Sequence, residues 1–213
     1  HKIETERIVN QNVDYQTEPV LKLENAQSDK VGPINIDVHK GEVYGLYGLV
    51  GSGRTEVLRM IYGVDRLSSG TLSYKSDKFM PRDPHDAIAH GLGLVPENRK
   101  EQGLVQILPV WENSVLASLK ELAHNGVLNM KDMKQVVNSY IHKLSIKTPS
   151  GATLCCNLSG GNQQKVVLSK WLIKDCEFLL VDEPTQGIDV GAKDQIYKII
   201  YDMIQTGKSV LIV

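Results

Sequence analysis

The eight residues Gly48-Leu49-Val50-Gly51-Ser52-Gly53-Arg54-Thr55 constrain this chain more than any other stretch. They follow the apolar run 42–47 (EVYGLY), which reads as a strand, and they lead into helical spacing from about 53 to 62. A strand, a tight glycine turn and a helix in that order suit phosphate. The glycines let consecutive backbone N–H groups curl round an anion, and the helix start adds its positive dipole. The template GxxxxGK[ST] is met at Gly48, Gly53 and Thr55, whose hydroxyl is a ligand for Mg2+. Arg54 stands where the template has lysine. Its planar guanidinium differs from an ammonium in length and direction, so the grip on a γ-phosphate is expected to change. A second GKS, Gly207-Lys208-Ser209, has Asp202 where the upstream glycine belongs and precedes a strand, so it reads as a helix-ending turn.

Two further stretches carry chemistry. Phe178-Leu179-Leu180-Val181 reads as a parallel strand buried on both faces, and it delivers Asp182 and Glu183 to its C-terminal end. Open α/β sheets bind ligands at that end. Asp182 suits holding Mg2+ through water, and Glu183 suits a general base that polarises an attacking water. Alone, the pair would read as surface carboxylates closing a strand; the phosphate loop upstream tips the balance. Leu158-Ser159-Gly160-Gly161-Asn162-Gln163-Gln164-Lys165 opens an amphipathic helix with Val167, Leu168, Trp171 and Leu172 on its apolar side. It offers a second anion-seeking helix start. A plain serine N-cap is the alternative for that stretch taken by itself.

The remaining text supports an α/β chain with an insertion. Val20–Glu24, Ile34–Val38 and Gly93–Val95 read as strands, and Asp83-Pro84 opens a helix that Gly91 closes. Helices are expected at 111–123, 130–144, 159–174 and 189–206, with a final strand at 209–213. Strands and helices alternate at both ends, and a helix-rich block interrupts them, which argues a doubly wound core carrying a helical lobe. Residues 1–17 read as a linker or arm. Twenty-four basic against twenty-five acidic residues leave a net charge of −1, with no electrostatic footprint for nucleic acid. No apolar run approaches the roughly 20 residues of a membrane helix. Three cysteines, two of them adjacent, make neither a disulfide framework nor a zinc site. The chain starts at His1 and stops at Val213 within an apolar run, so both ends read as cut.

GLVGSGRT, LSGGNQQK and VDEPTQGIDVGAK, in this order and spacing, resemble the nucleotide-binding domain of an ABC transporter; LSGG is the signature of that superfamily among P-loop proteins. More narrowly, GLVGSGRTE, LVPENRKEQGLV, LSGGNQQKVVLSKWL and EPTQGIDVGAK resemble the C-terminal half of the double-ATPase subunit of bacterial monosaccharide importers, a group that includes ribose, galactose and autoinducer-2 importers. The likeness covers about residues 20–213.

The resemblance implies a P-loop NTPase (RecA-like) core, at 18–97 and 159–213, with an ABC-type N-terminal β portion and a helical lobe at 98–158. It implies ATP and Mg2+ as cofactors, and a head-to-tail sandwich of two such domains with two ATP sites between them. Gly48 to Thr55 would bind nucleotide, Thr55 and Asp182 would hold the ion, and Glu183 would be the catalytic base. Ser159, Gly160, Gly161, Asn162 and Gln163 would serve the ATP bound to the partner half, with Asp189 at the D-loop position. Glu97 occupies the Q-loop position, where the family has Gln, and no aromatic stands near Ser28 and Asp29 to stack on adenine. The implied partners are a second nucleotide-binding half on the same polypeptide, transmembrane permease subunits and, through them, a periplasmic or extracellular sugar-binding protein. The implied location is the cytoplasmic face of the cell membrane, and the chain would be less than half of its protein. A non-hydrolysing regulatory or structural half is the alternative. A soluble ABC ATPase of DNA repair or translation fits the wording poorly, and a GTPase lacks its [NT]KxD motif.

Overall fold

The computed structural model describes residues 13–124 and 126–213, so most of the expected arm at 1–17 lies outside the described residues. The elements run β1 (Leu21–Gln27), β2 (Ile34–Val38), β3 (Val43–Gly45), α1 (Arg54–Ile61), β4 (Ser69–Tyr74), β5 (Asp77–Lys78), α2 (Pro84–Ala89) and β6 (Leu92–Val95). A π-helical turn (Arg99–Gly103), α3 (Val110–Val115), α4 (Leu119–Leu122), β7 (Ala123–His124), β8 (Val127–Leu128) and α5 (Met130–Lys143) follow. A 3-10 turn (Cys155–Asn157), α6 (Gly160–Lys174), β9 (Phe178–Val181), α7 (Val190–Gln205) and β10 (Ser209–Ile212) complete the described chain. These form two compact units. One comprises the residues up to Leu92 with 177–180 and 201–213, and the other comprises 93–176 with 181–200.

In the first unit an antiparallel sheet has the order β2-β1-β4-β5. Alternation decides its inner face. Leu21 and Leu23 are buried while Lys22 and Glu24 point outward, and Leu23 lies opposite both Ile36 and Leu72. Each apolar side chain so buried contributes about 1.5–3 kcal/mol. A second sheet has the order β3-β10-β9-β6, in which β3 and β10 run parallel with Val43 opposite Val210. All four residues of β9 are buried, as a central strand requires. α1 turns Val57, Leu58, Met60 and Ile61 inward. Asp83 caps α2, accepting from the Asp86 N–H at 2.8 Å, with Pro84 at the first helical position.

In the second unit α6 packs against α3 and α5. The Ser114 and Ser169 hydroxyls meet at 2.9 Å, and Tyr140 Oη donates to the Leu172 carbonyl at 3.2 Å. Asn113, fully buried, laces the approach to α3. Its Oδ1 accepts from Val105 N–H at 2.8 Å, and Nδ2 donates to the carbonyls of Val105, Leu108 and Pro109 at 3.0, 3.1 and 3.2 Å.

Three features depart from the sequence reading. β4 and β5 had no counterpart in it, because Ser69-Gly70 opens β4 with a polar residue and a glycine, which is depleted in strands, and β5 is only two residues long. The helix expected at 111–123 is two short helices, since Ser118 leaves helical geometry and is buried. Ala123–His124 and Val127–Leu128 pair antiparallel where the sequence reading finds little strand signal between its two helices, and Gly126 takes φ +81°. No helix among the described residues is long and apolar enough to cross a membrane.

Candidate nucleotide site

The phosphate loop belongs to the first unit. Beyond β3 the chain turns at 48–53, and the Ser52 N–H donates to the Leu49 carbonyl at 3.0 Å. Leu49 and Val50 are 85% and 97% exposed although apolar, and Gly51 takes φ +80°. Gly48 leaves room for the Ser52 hydroxyl, which would stand 2.5 Å from a Cβ there. Gly53, at φ +90°, is the N-cap of α1 and supplies no side-chain cap. A Cβ at Gly53 would meet the Val31 side chain at 2.6 Å, so glycine is needed for both backbone sign and space. Arg54 and Thr55 are the first two residues of α1. The helix start therefore points uncapped N–H groups into the turn, as an anion site requires.

The other candidate residues stand in the second unit. Asp182, 4% exposed, continues the strand ladder by donating its N–H to the Val95 carbonyl at 2.9 Å. Glu183 then takes φ +39°, a left-handed backbone that costs on the order of 1 kcal/mol and is commonest at functional sites. The turn closes with Gln186 N–H on the Glu183 carbonyl at 3.0 Å. Sequence reasoning assigned Gln186 no role, yet its amide is a bridge. Nε2 donates to Glu97 Oε1 at 2.7 Å and lies 3.4 Å from Glu183 Oε2, so one carboxamide links the Q-loop position to the candidate base.

Arg99, also unassigned from sequence, holds the same turn from beneath. Its Nη1 donates to the Gln186 carbonyl at 2.7 Å and Nη2 to the Gly187 carbonyl at 3.2 Å. Burial pushes the guanidinium below its ordinary pKa. Both residues were present in the quoted runs VPENRKEQG and EPTQG, but contacts 87 and 89 residues apart leave no periodic signal.

At the signature, Ser159 precedes α6 in extended backbone and makes no side-chain cap to it. Its Oγ instead accepts from Asn162 Nδ2 at 2.8 Å, while Asn162 Oδ1 accepts from the Lys147 N–H at 2.8 Å. The plain N-cap alternative is therefore not what forms: the serine oxygen is held by Asn162, and the helix start remains without a side-chain cap. Gln163 is buried, donating to the Cys155 carbonyl at 2.9 Å and to Gln106 Oε1 at 3.1 Å. Gly161 approaches the start of α7 so closely that a Cβ would lie 2.8 Å from Ala192 Cβ. Asp189 caps α7, its Oδ1 accepting from the Ala192 N–H at 3.0 Å. Thus Glu97, Asp182, Glu183, Ser159 to Gln163 and Asp189 all belong to one unit.

An antiparallel N-terminal sheet, a phosphate-loop sheet and a helix opened by LSGG define the class of ATP-binding cassettes. The same fold occurs in a dimeric cassette in a post-hydrolysis state bound to ADP and Pi, with a TM-score of 0.77, 21% identity, and coverage of 91% of this chain and 87% of that one. A nucleotide-free cassette from an ABC transporter superposes with a TM-score of 0.75 and 19% identity over 91% and 80%. The profile of the ABC transporter family matches residues 31–186, and the chain belongs to that family as an ATP-binding domain. The ribose import ATP-binding protein RbsA of Oceanobacillus iheyensis is 39% identical over 196 residues, 92% of this chain and 40% of that protein. The arabinose import ATP-binding protein AraG of Chromohalobacter salexigens is 38% identical over 196 residues, 91% and 39%. The chain therefore spans about two fifths of the length of these relatives.

Proposed function

We propose that this chain is the ATPase domain that drives import of a monosaccharide by an ABC transporter, acting as the C-terminal half of a double-ATPase polypeptide. The sugar reading is supported by relatives named for ribose and arabinose import. In this reading the signature Ser159-Gly160-Gly161, with Asn162 and Gln163, completes the ATP site of the partner half. Gly48 to Thr55 bind the phosphates of the chain's own nucleotide, and Glu97 takes the Q-loop position. Thr55 and Asp182 offer hydroxyl and carboxylate oxygens, the hard donor set that suits Mg2+. That ion, when bound, neutralises charge on the phosphates. Glu183 orients the attacking water as general base. The lobe at 98–158 passes nucleotide-driven motion to transmembrane permease subunits at the cytoplasmic face of the membrane, and a sugar-binding protein delivers the cargo on the other side.

The observation that carries the reading is an asymmetry. The signature is intact and its helix start lacks a side-chain cap, whereas Arg54 replaces lysine in the phosphate loop and Glu97 replaces glutamine. The chain therefore serves its partner's site better than its own. ATP turnover by the full-length protein tests this. Ser159→Leu removes most turnover, and Glu183→Gln costs much less. Equal damage from the two changes refutes the asymmetry; nucleotide binding without any turnover that depends on Ser159 favours a regulatory, non-hydrolysing half.

A further inference from the structure

Arg99 is costly where it sits. It is 9% exposed, and its two carbonyl partners answer the guanidinium's hydrogen bonds but not its charge. Its Nε is buried without a hydrogen-bond partner, and no ion pair forms with it among the described residues. A buried charge left uncompensated in this way is normally removed unless it serves something.

The charge lies directly behind the signature. A Cβ on Gly160 would come within 2.6 Å of Arg99 Nη2 and 3.2 Å of the Gly187 carbonyl oxygen, so only glycine lets the first residue of α6 rest on the guanidinium. That helix is 15 residues long and starts without a side-chain cap. The turn that Arg99 grips, Gln186–Gly187, leads straight into Asp189.

We propose that Arg99 is the positioning residue of the signature, adding its buried positive charge to the N-terminus of α6 so that a phosphate group docks there more tightly. It acts through the backbone, since Gly160 stands between its guanidinium and the helix start. The proposal rests on reading Ser159–Gly161 as a phosphate site.

The test uses the full-length ATPase with MgATP and the phosphate analogue orthovanadate. Arg99→Met is expected to raise the half-inhibitory vanadate concentration by about tenfold, the scale of one nearby charge in a protein interior, and to raise KM for ATP. Arg99→Lys keeps the charge but loses the fork, and is expected to stay within about threefold of the parent. If Lys and Met weaken vanadate equally, Arg99 is only a structural clamp and the proposal is overturned. It is also overturned if neither changes the response while Ser159→Leu abolishes turnover. If Ser159→Leu leaves turnover intact, the underlying reading of the signature is what fails. Should Arg99→Met not fold, Arg99→Gln, which keeps amide donors for the two carbonyls without the charge, decides the matter; an unaltered vanadate response overturns the proposal.

Discussion

Gly161 and Ala192 form the contact on which the signature and the start of α7 depend, and a double-mutant cycle measures it. A Cβ on Gly161 would lie 2.8 Å from Ala192 Cβ, against the 3.4 Å or more of ordinary contact, with Ile188 Cγ2 at 3.6 Å behind it. The overlap involves short side chains fixed to two helices, so no rotamer change can relieve it. Forcing such elements apart costs about 1–3 kcal/mol. Alanine in place of glycine within a helix returns about 1 kcal/mol of backbone preference, so Gly161→Ala alone is expected to destabilise by at most about 2 kcal/mol. Ala192→Gly, at the third residue of α7, costs about 1 kcal/mol for the converse reason. Together the overlap vanishes and the two preferences offset each other, which returns the double variant to near-parental stability. Urea unfolding of the four proteins yields the coupling, expected at about 1–3 kcal/mol in favour of the pair. ATP turnover, reduced in Gly161→Ala, is expected to recover in the double variant. Effects that add to within about 0.5 kcal/mol would show that the two helices part freely here, and the close-approach reasoning would fail.

Asn113→Ala removes four hydrogen bonds from a fully buried amide and strands the Val105 N–H, while the carbonyls of Val105, Leu108 and Pro109 keep the backbone donors Leu108, Cys155 and residue 113, so unfolding in urea is expected to show a loss of about 1–3 kcal/mol; no measurable loss contradicts this account of the 105–109 loop. Lys170 donates to the Gly103 carbonyl at 3.0 Å, and burial pushes its pKa down to about 8 from an ordinary 10.5. The unfolded chain then holds more protons than the folded one between those values, so the Lys170 contribution to stability rises with pH across about pH 8 to 10.5 and is constant below that window. Unfolding measured at pH 7.5 and 9.5 is expected to show the parent gaining on Lys170→Met by about 1 kcal/mol per pH unit at most; an equal difference at both pH values rules the shift out.

The elements that were legible in the sequence are those whose cause is local. Phe178–Val181 announces a strand buried on both faces because every side chain is apolar, and Asp83-Pro84 announces a helix start because the cap and the fixed φ stand side by side. β4 escaped notice because its inward residues, Leu72 and Tyr74, are only two, and what makes it a strand is pairing with Leu23 and Leu21 about fifty residues earlier. The pairing of β7 with β8 left no mark because two residues on each side are too few to show an alternation.

The site divides along the same line. Gly53, Gly160 and Gly161 could be named in advance because a helix start that must stay open to an anion excludes side chains at fixed offsets, and that exclusion is written as glycine. What glycine makes room for could not be read. For Gly53 it is Val31, for Gly160 the Arg99 guanidinium, and for Gly161 the Ala192 methyl, each brought in from a remote part of the chain. Arg99 and Gln186 are then the second half of a code whose first half is the signature itself. The Gln186 amide ties Glu97 to Glu183 on one side of the turn, while Arg99 holds the carbonyls of Gln186 and Gly187 on the other and lies close against Gly160 at the start of α6. A shift at Glu97 or Glu183 therefore strains hydrogen bonds at Gln186, the residue whose carbonyl Arg99 also holds, so the candidate base and the Arg99 guanidinium packed against Gly160 share one turn.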